Sequence, residues 1–589
     1  MESVQQSYGN SSKVISSDKP TEEELQYTKY LESILAASDV YEAEDEVQLR
    51  KEVLGELHRL VNRWVRRLCE ERFSEEDGID ASSISAGIFT FGSYRLGVNF
   101  PGGDIDACCV VPKYIQRSDF FDSMVELLKS NPDVTELAPV PTAYVPIITM
   151  RYRGVPIDFM ISRLNIPTVR DDLNILDNQL LLGVDSDKDI LSLNGCRLVS
   201  EVLGLVPDQA AFRTVLRTIK LWGKRRGIHG NKYGYLGGVN YAIMTAFVCQ
   251  CFPYATPAVL VAKFFWLFGG TWQWSSPVTL KDIDYGFQSN MPEDLRRKVY
   301  NPKENRSDAR ALMPILVPNF PSSNSMYNVH RSGFEILRKE LMRGRLITEG
   351  KGDVALTVDG GQIVPVTPSE DASSANNNTN TVAAAENAVA ESDHAVPLNE
   401  DVWKLLLKPI DFFADYLHYL QVIISASNEE YHRSWSGYIL SQLRRFVSSV
   451  YEDRPNPLKY FREMRLSPEE HPWKLPDLPK HLQRMDADGK PIKWQATTVF
   501  IGFAVKAEYE KEMKIDIGGP VQNFSNDCRG SGAFVEGEMA LDIVYATRKK
   551  LPAAIVGEHL AAAPSRRKSK KRALSHSAES QGSVKKAAA

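Results

Sequence analysis

Two carboxylates separated by one residue, Asp104 and Asp106, constrain this chain more than any other feature. They open the apolar run DIDACCVV, and a Gly92-Ser93 turn lies upstream, after the extended run Gly87 to Phe91. Side chains alternate between the faces of a strand, so both carboxylates would lie on one face. Adjacent carboxylates repel unless a divalent cation lies between them, and a Gly-Ser turn offers hydrogen-bond donors to phosphate. The stretch therefore predicts a metal-dependent phosphate site.

A third acid, Asp158, lies in VPIDFMIS, again between apolar neighbours on a predicted strand. Asp-x-Asp alone is a weak signal, and alone Asp158 could equally be a structural acid at a strand end. The pattern recurs among turn-forming or charged residues, where we expect the acids to be solvated: Asp185/Asp187, Asp187/Asp189, Asp282/Asp284 and Asp486/Asp488. Three acids grouped around one phosphate-type turn are much harder to explain structurally, and they predict a catalytic site.

The same residues resemble a known family. FGSYRLG and DID, with a third aspartate further on, are similar to the DNA-polymerase-β-like nucleotidyltransferases, and the continuation resembles the eukaryotic nuclear poly(A) polymerases. The likeness runs from about residue 20 to 345 and returns more weakly from about 400 to 550. The segments that carry it are VPII (Val145 to Ile148), SLNGCR (Ser192 to Arg197), FRTVLRTIKLWGKRRGI (Phe212 to Ile228), GYLGGVNYAIM (Gly234 to Met244) and WQW-SSPV (Trp272 to Val278).

Length and pattern divide the chain into several domains. At 589 residues, two to four domains are expected. The predicted fold class is α/β and α+β multidomain; the resemblance implies a mixed-sheet nucleotidyltransferase palm, a helical middle domain and an RRM-like (ferredoxin-like) C-terminal domain. The predicted ranges are 1–19, a disordered N-terminus; 20–40, an N-terminal helix joining the middle domain; 41–207, the nucleotidyltransferase catalytic domain; 208–350, the helical middle domain; 351–397, a low-complexity linker or insertion; 398–555, the RRM-like RNA-binding domain; and 556–589, a basic disordered tail.

Local patterns also predict individual elements. Thr21 and Glu24 form a capping box for a first helix, and a longer helix is predicted from Glu44 to Glu71. A hairpin of Val145 to Tyr152 and Val155 to Ile161 would deliver Asp158 beside the strand that follows Asp104. In the C-terminal part, the predicted elements are strand-like runs at Ile410 to Phe413, Thr497 to Val505 and Met539 to Ala546, and helices near His432 to Val450 and Val521 to Cys528.

Charge and cysteine usage limit the classes of protein. The formal net charge of -5 does not indicate a nucleic-acid binder, and residues 565–589 carry eight Lys or Arg against Glu579, so the remaining body is more acidic still. Any RNA-binding surface must therefore be a local groove. The basic run Ser565 to Arg572 is typical of a nuclear-import patch or an extra RNA contact, with a solvated charge run as the alternative.

Seven cysteines without a Cys-x-x-Cys motif predict reduced core thiols and no zinc site. The polar N-terminus predicts no secretory signal. The apolar stretch Ala242 to Phe268 is interrupted by prolines and by Lys263, which predicts two buried helices rather than a membrane span.

The resemblance implies a template-independent poly(A) polymerase that adds AMP from ATP to RNA 3′ ends in mRNA polyadenylation and releases pyrophosphate. We hypothesise a two-metal mechanism with ions about 3.5–4 Å apart. Asp104 and Asp106 would hold both ions, and Asp158 would hold only the ion that activates the 3′-hydroxyl. Oxygen ligands without His or Cys favour Mg²⁺, with Mn²⁺ as an alternative. Another RNA-tailing enzyme such as a uridylyltransferase, or an inactive RNA-binding scaffold, remains an alternative.

The predicted nucleotide site surrounds the turn and a basic helix. Gly92 and Ser93 would cradle the triphosphate, and Lys220 would reach phosphate as a point charge. The resemblance implies a ribose or RNA contact for Asn194, and contacts to the incoming nucleotide and its base further along the chain. The predicted catalytic and metal ligands are Asp104, Asp106 and Asp158, and the predicted nucleotide-binding residues are Phe91, Gly92, Ser93, Asn194, Lys220, His229, Asn231, Gly237, Gly238 and Val239.

Two departures from the family pattern bear on substrate binding, and at the first of them, Thr149, we expect either weaker binding or compensation by a neighbour. Thr149 stands where the family has the lysine of VPIIK, and a hydroxyl does not replace an ammonium group. His229 stands where a tyrosine is expected; imidazole can donate a hydrogen bond and, if protonated, would add charge near phosphate. Lys224 is the neighbour expected to compensate.

The expected partners follow from the same resemblance. They are ATP, the single-stranded 3′ end of RNA such as oligo(A), and subunits of the pre-mRNA cleavage and polyadenylation complex. We expect a monomer in the nucleus with no membrane association. An acidic body would bind RNA weakly on its own, so recruitment by partners is expected.

Overall fold

The computed structural model describes residues 13–287, 290–359, 362–365, 397–452, 458–466, 494–505 and 517–551. The predicted basic tail, the first twelve residues, most of the predicted linker and the Asp486/Asp488 pair lie outside these ranges. Within them, the α-helices are α1 (Glu22–Ala36), α2 (Glu44–Arg72), α3 (Gly92–Leu96), α4 (Arg117–Asp119), α5 (Val125–Lys129), α6 (Asp187–Leu205), α7 (Gln209–Arg225), α8 (Gly238–Cys251), α9 (Pro257–Trp266), α10 (Glu293–Arg296), α11 (Arg306–Ala309), α12 (Arg331–Thr348), α13 (Glu400–Leu406), α14 (Phe412–Asp415), α15 (Glu429–Glu452) and α16 (Gly518–Arg529).

The strands form three antiparallel or mixed sheets in the described ranges. They are β1 (Gly87–Phe91), β2 (Ile105–Val111), β3 (Val134–Val140), β4 (Ile147–Tyr152), β5 (Val155–Arg163), β6 (Leu356–Asp359), β7 (Gln362–Pro365), β8 (His418–Ala426), β9 (Leu458–Leu466), β10 (Gln495–Val505) and β11 (Met539–Thr547).

The first two helices begin and pack as their sequences predict. Thr21 caps α1, and the reciprocal hydrogen bonds with Glu24 complete the predicted capping box. Apolar residues at three- and four-residue spacing along α2, including Val53, Leu57 and Trp64, are buried against one face of the first sheet. The predictions for both helices are confirmed.

The first sheet has the strand order β1-β2-β5-β4-β3, with β2 and β5 parallel and the other neighbours antiparallel. The predicted strand from Gly87 to Phe91 is confirmed, and so is the hairpin, whose turn is Arg153-Gly154. The parallel pairing sets Asp106 opposite Asp158, and α6 packs on the sheet beside β5 and β1. The sheet thereby joins acids that are far apart in sequence.

A helical middle region follows the sheet. The apolar stretch from Ala242 to Phe268 forms the buried parts of α8 and α9, as predicted. Residues assigned to the disordered N-terminus also contact this region, because Ile15 N–H donates to the Cys251 carbonyl at 2.8 Å and Lys13 donates to the Thr279 carbonyl at 2.7 Å. All seven cysteines are buried, as expected for core residues, and none is paired in a disulfide.

No single helix in the described ranges is long and apolar enough to cross a membrane. Helices α6 and α7 together have the length and apolar composition of a membrane span, but the chain bends by 120° between them.

The C-terminal region forms an antiparallel sheet in the order β11-β8-β10-β9. Leu420 and Val422 of β8 pack with α15 on one face, whereas Tyr419 packs with Phe412 and Phe413 on the other. Side chains on both faces of β8 are therefore buried. The predicted helices and the strand-like runs that became β10 and β11 are confirmed.

The prediction of a strand-like run from Ile410 to Phe413 is wrong. Phe412–Asp415 forms α14, because the Asp411 side chain accepts a hydrogen bond from the Ala414 N–H and caps a helical turn. The turn places both phenylalanines in the core between the middle and C-terminal regions.

The expectation that the other Asp-x-Asp acids are solvated is wrong for Asp189. Asp189 is 5% exposed, and its carboxylate accepts a hydrogen bond from the Arg163 N–H at 3.0 Å and forms an ion pair with Arg117. Its neighbour Asp187 is exposed and pairs with Lys298 at 2.6 Å. The sequence around Asp189 does not show this burial, because Arg117 comes from a distant segment.

Candidate active site

The three predicted acids form one carboxylate cluster at the start of β2 and within β5. Asp106 and Asp158 lie on adjacent parallel strands in register, and Asp104 immediately precedes β2. One carboxylate oxygen from each of the three residues lies within 4.8 Å of the other two. Asp104 is exposed, whereas Asp106 and Asp158 are half-buried. The predicted grouping is therefore present in the structure, with one side open to ligands.

Electrostatics favour a cation at this cluster. Burial, followed by the charges of Asp104 and Asp158, raises the pKa of Asp106 to about 7. Burial and the charge of Asp104 also raise the pKa of Asp158. Carboxylates that burial and mutual repulsion destabilise in the ionised form are stabilised by a divalent cation with oxygen ligands. The residues thus fit a divalent metal ion.

The Gly92-Ser93 turn lies against the carboxylate cluster. Phe91 pairs with Asp106 across β1 and β2, and Gly92 begins α3 with φ at +61°. A Cβ atom at Gly92 would lie 1.8 Å from Asp106 Oδ2, so only glycine fits beside this carboxylate. The first N–H groups of α3 have no intrahelical partners and are available to an anion.

The Phe91 side chain packs against helix α6. Its ring lies against Gly195 of α6, where an added Cβ would approach Phe91 Cδ2 to 2.8 Å. This close packing fixes the neighbouring Asn194, whose side-chain oxygen accepts a long hydrogen bond of 3.5 Å from Asn319.

Lys220 faces the carboxylate cluster from α7. Its Nζ donates to the Val98 carbonyl at 2.9 Å, and Lys220 and Lys224 lie 5.4 and 4.3 Å from the centroid of the Phe100 ring. Burial, followed by the charges of Lys224 and Arg217, lowers the pKa of Lys220 to about 8, although Asp104 and Asp106 oppose this effect. Lys220 therefore lies within electrostatic reach of the acids, and its predicted contact with phosphate stays a prediction.

The residues predicted to contact the base lie at the N-terminal end of α8. Gly237 N–H donates to Asn240 Oδ1 at 2.8 Å, Gly238 has open space where a Cβ would lie, and Val239 is 39% exposed. Asn231 Nδ2 donates to the Ser325 carbonyl at 3.3 Å, while its buried Oδ1 has no hydrogen-bond partner in the described part of the chain. An apolar side chain and a free amide oxygen are thus available to a ligand.

His229 is neutral at physiological pH. Burial, followed by the charges of Lys224 and Lys220, lowers the pKa of His229 to about 4. Its ring stacks on Tyr241 at a centroid distance of 5.6 Å, and its buried Nδ1 has no hydrogen-bond partner among the described residues. The lowered pKa favours a neutral ring, so hydrogen bonding rather than added charge is the role that this environment supports for His229.

Thr149 lies opposite Asp158 on the neighbouring strand β4. Its hydroxyl donates to the Ala138 carbonyl at 3.4 Å. The position where the family has a lysine is therefore directly beside the third carboxylate. Lys224, expected to compensate, feels the charge of Asp104, which raises its pKa against a larger lowering by burial.

Sequence reasoning missed a groove beside Asn194. The groove has a volume of about 1560 Å³, and Tyr144 and Tyr327 on its walls are 78% and 69% exposed. Its other walls include a set of cations: Arg297, Lys298, Arg306, Arg310 and Arg331. The one sequence feature that could have indicated this groove is Tyr144, the aromatic residue immediately before the VPII segment. The cations on its walls come from a separate part of the chain.

Comparison with known proteins identifies all three regions. The poly(A) polymerase nucleotidyltransferase domain matches residues 11–206, the poly(A) polymerase central domain matches 211–353, and the poly(A) polymerase predicted RNA binding domain matches 411–460 and 469–564. These ranges include the carboxylate cluster and the residues predicted to contact the base.

Curated relatives give the same result. The chain is 36% identical over 437 residues to a poly(A) polymerase of Dictyostelium discoideum, covering 74% of this chain and 47% of the relative. It is 33% identical over 471 residues to nuclear poly(A) polymerase 1 of Arabidopsis thaliana, covering 80% and 57%, and 34% identical over 463 residues to nuclear poly(A) polymerase 4, covering 77% and 55%. The chain thus spans about half the length of these relatives.

A solved structure of the Cid1 poly(U) polymerase is 17% identical and covers 55% of this chain and 94% of its own. The TM-score is 0.36, and a likeness this distant carries no argument about base choice.

Proposed function

This chain belongs to the poly(A) polymerase family, and from that premise we propose that it adds AMP from ATP to the 3′ end of RNA without a template. The observation that carries the proposal is the carboxylate cluster, in which three acids lie within 4.8 Å of one another beside a turn that admits only glycine. The oxygen of the RNA 3′-hydroxyl forms a bond to the α-phosphorus of ATP. The bond between the α-phosphorus and the oxygen that it shares with the β-phosphorus breaks, and pyrophosphate leaves. The hydroxyl proton passes to the carboxylate cluster.

Asp104, Asp106 and Asp158 are the residues that would hold the metal, and we propose Mg²⁺, with Mn²⁺ as an alternative. When bound, divalent ions activate the attacking hydroxyl and neutralise the leaving pyrophosphate. Mg²⁺ prefers oxygen ligands, and the cluster offers only carboxylates.

The chain's own residues would orient the nucleotide around this cluster. The first N–H groups of α3, at Gly92 and Ser93, would bind the triphosphate, and Lys220 would add positive charge from the opposite side. The pKa of about 8 still leaves most Lys220 side chains protonated at neutral pH. Catalysis then depends mainly on positioning and on charge stabilisation.

Adenine would bind between Val239 and the polar groups near Asn231. The exposed Val239 side chain offers an apolar surface for the base, and the unpartnered Asn231 Oδ1 can accept a hydrogen bond from an exocyclic amine. The neutral His229 ring is a further hydrogen-bonding group near the phosphates. ATP as the preferred nucleotide follows from family membership.

The RNA 3′ end would enter along the groove beside Asn194. Exposed Tyr144 and Tyr327 can stack with bases, and the five cations on the groove walls can contact the phosphate backbone. Because the body of the chain is acidic, such a local groove is the form of RNA site that the charge distribution permits.

The cellular setting is also a proposal. Relatives named nuclear poly(A) polymerases support a nuclear location. Family membership suggests a role in mRNA 3′-end polyadenylation with subunits of the cleavage and polyadenylation complex. We propose a monomer, with domain boundaries near those predicted from the sequence.

Primer extension tests the proposal. The purified chain is incubated with oligo(A), Mg²⁺ and each nucleotide separately, beside the Asp106→Ala variant. We expect extension with ATP alone, and none in the variant. Extension mainly with UTP would keep the chemistry but replace the proposal by a uridylyltransferase, and no extension with either Mg²⁺ or Mn²⁺ would favour an RNA-binding scaffold.

A further inference from the structure

A second basic groove lies on the catalytic domain, separate from the groove beside Asn194. It consists of two cavities that share His58, with volumes of about 690 and 500 Å³. The larger lies between α2 and the 168–172 loop, and the smaller continues along the edge strand β1 to Tyr94 and Arg95 of α3. The groove therefore extends from the start of β1 to α3, the helix that begins at the Gly92-Ser93 turn.

The polar groups on the floor of the groove form hydrogen bonds with one another. The Asn62 side chain donates to the Ala86 carbonyl at 3.1 Å and accepts from the Ala86 N–H at 3.0 Å, as a paired strand would. Ser85 donates to the Val169 carbonyl at 2.7 Å and thereby ties the loop to β1. No buried polar group of this floor needs a ligand, so any ligand binds to the side chains above it.

Those side chains are mainly arginines. Arg59, Arg63 and Arg66 are exposed on one side of α2, and none forms an ion pair with a carboxylate in the part of the chain that the structure describes. Arg170 is on the opposite wall and pairs with Asp172 at 2.9 Å, and Asp171 also lines the rim. Four arginines face two aspartates in a body that is acidic as a whole.

The spacing of the arginines suits a polymer better than a single anion. Arg59 and Arg66 are seven residues apart on a helix, a rise of about 10 Å. The groove then continues along β1 for about 17 Å towards the catalytic turn. A free phosphate ion would contact only part of this length, whereas successive phosphates of an extended chain can contact all of it.

We propose that this groove binds the phosphate backbone of single-stranded RNA upstream of the 3′ end, an inference that rests on the proposed function. The nucleotides next to the 3′ end would occupy the groove beside Asn194, and only a primer long enough to extend beyond that groove would reach the arginines. The groove adds affinity without reading sequence, because arginine contacts to phosphate carry no base information.

The test measures binding of labelled oligo(A) of about 16 and about 4 nucleotides by fluorescence anisotropy across a range of salt concentrations. The variant combines Arg59→Ala, Arg63→Ala and Arg66→Ala. Its control combines Lys51→Ala, Arg67→Ala and Lys129→Ala, which removes the same charge from the same domain outside the groove. Losing three phosphate contacts should reduce the slope of log K against log salt by about 2 for the longer RNA.

We expect no change in slope for the control or for the shorter RNA, and unchanged extension of the short primer. An equal change in variant and control would overturn the proposal, because the effect would then be one of net charge. Calorimetry with tripolyphosphate separates a small-anion site: if the arginine variant loses tripolyphosphate binding but keeps its RNA slope, the proposal is wrong.

If the natural ligand is instead an acidic peptide, the arginine variant should keep the salt slope of RNA binding. That result would overturn the proposal. The single variant Arg63→Glu repeats the test should the triple variant unfold. If the unmodified chain extends no primer, the proposed function fails, and the binding slopes still decide whether the groove contacts RNA.

Discussion

Asp106 and Asp189 show two ways in which this protein buries a carboxylate. Burial raises the pKa of both. At Asp189 the Arg163 N–H and the Arg117 charge act against that rise, whereas at Asp106 the neighbouring charges of Asp104 and Asp158 add to it. An acid with cationic partners is part of the framework, and an acid surrounded by other acids lacks a positive charge that a ligand must supply. This difference separates an aspartate of the framework from one that we propose as a metal ligand.

Asp106→Ala gives the largest expected effect on activity. Removing one ligand from the cluster should lower primer extension by about 10³-fold or more, the scale of losing a preorganised charge. The fold should persist, since the substitution relieves like-charge repulsion. Extension rates and thermal unfolding of the metal-free protein measure the two effects; substantial residual activity would show that Asp106 is not a required ligand.

Gly92→Ala should nearly match that loss without changing any charge. The added Cβ would lie 1.8 Å from Asp106 Oδ2 at a positive φ, so the turn or the carboxylate must move. We expect extension to fall by about 10²-fold or more, since displacement by about 1 Å has this effect. Gly204→Ala is the control, because an added Cβ there meets no atom within 4 Å. Equal activities would mean that the turn does not position the cluster.

Asp189→Ala should have the opposite effect: it should lower the free energy of unfolding and leave the rate of primer extension nearly unchanged. It leaves Arg117 and the Arg163 N–H without their acceptor, and breaking a buried pair from one side costs about 3 kcal/mol. Denaturant unfolding followed by a probe in the catalytic domain measures this change. Extension per folded molecule should stay within about threefold. A stable but inactive variant would place Asp189 in the active site and remove the distinction.

Metal affinity should depend on pH through Asp106. The metal binds the ionised carboxylate, and the pKa of about 7 means that protons compete below that pH. Between about pH 8 and 6, affinity for Mg²⁺ should therefore fall as pH falls, approaching tenfold per unit. Calorimetric titration measures this dependence, and Asp106→Asn should flatten it. A flat profile in the unmodified chain would contradict the repulsion among the acids.

Local patterns were sufficient for some of these features. The alternation around Asp106, the capping box at Thr21 and the Arg153-Gly154 turn are short-range signals, and the structure has the corresponding elements. The partner of Asp189 and the neutral state of His229 depend on packing between distant segments. Both features lie beyond what a single sequence specifies without the fold.

Thr149 offers the smallest and most discriminating test. It lies opposite Asp158, at the position where the family has a lysine, so Thr149→Lys would bring an ammonium group beside that carboxylate. One charge-assisted contact is worth about 1.5 kcal/mol, and KM for ATP or primer should fall by up to about tenfold with little change in kcat. Thr149→Met adds comparable length without charge and should leave KM unchanged.

If Lys224 already compensates, the gain from Thr149→Lys should be larger in a Lys224→Met background, because the two ammonium groups then no longer act on the same charge. Equal gains in both backgrounds would show that the two lysines act independently, and a rise in KM would mean that this chain has repacked around threonine.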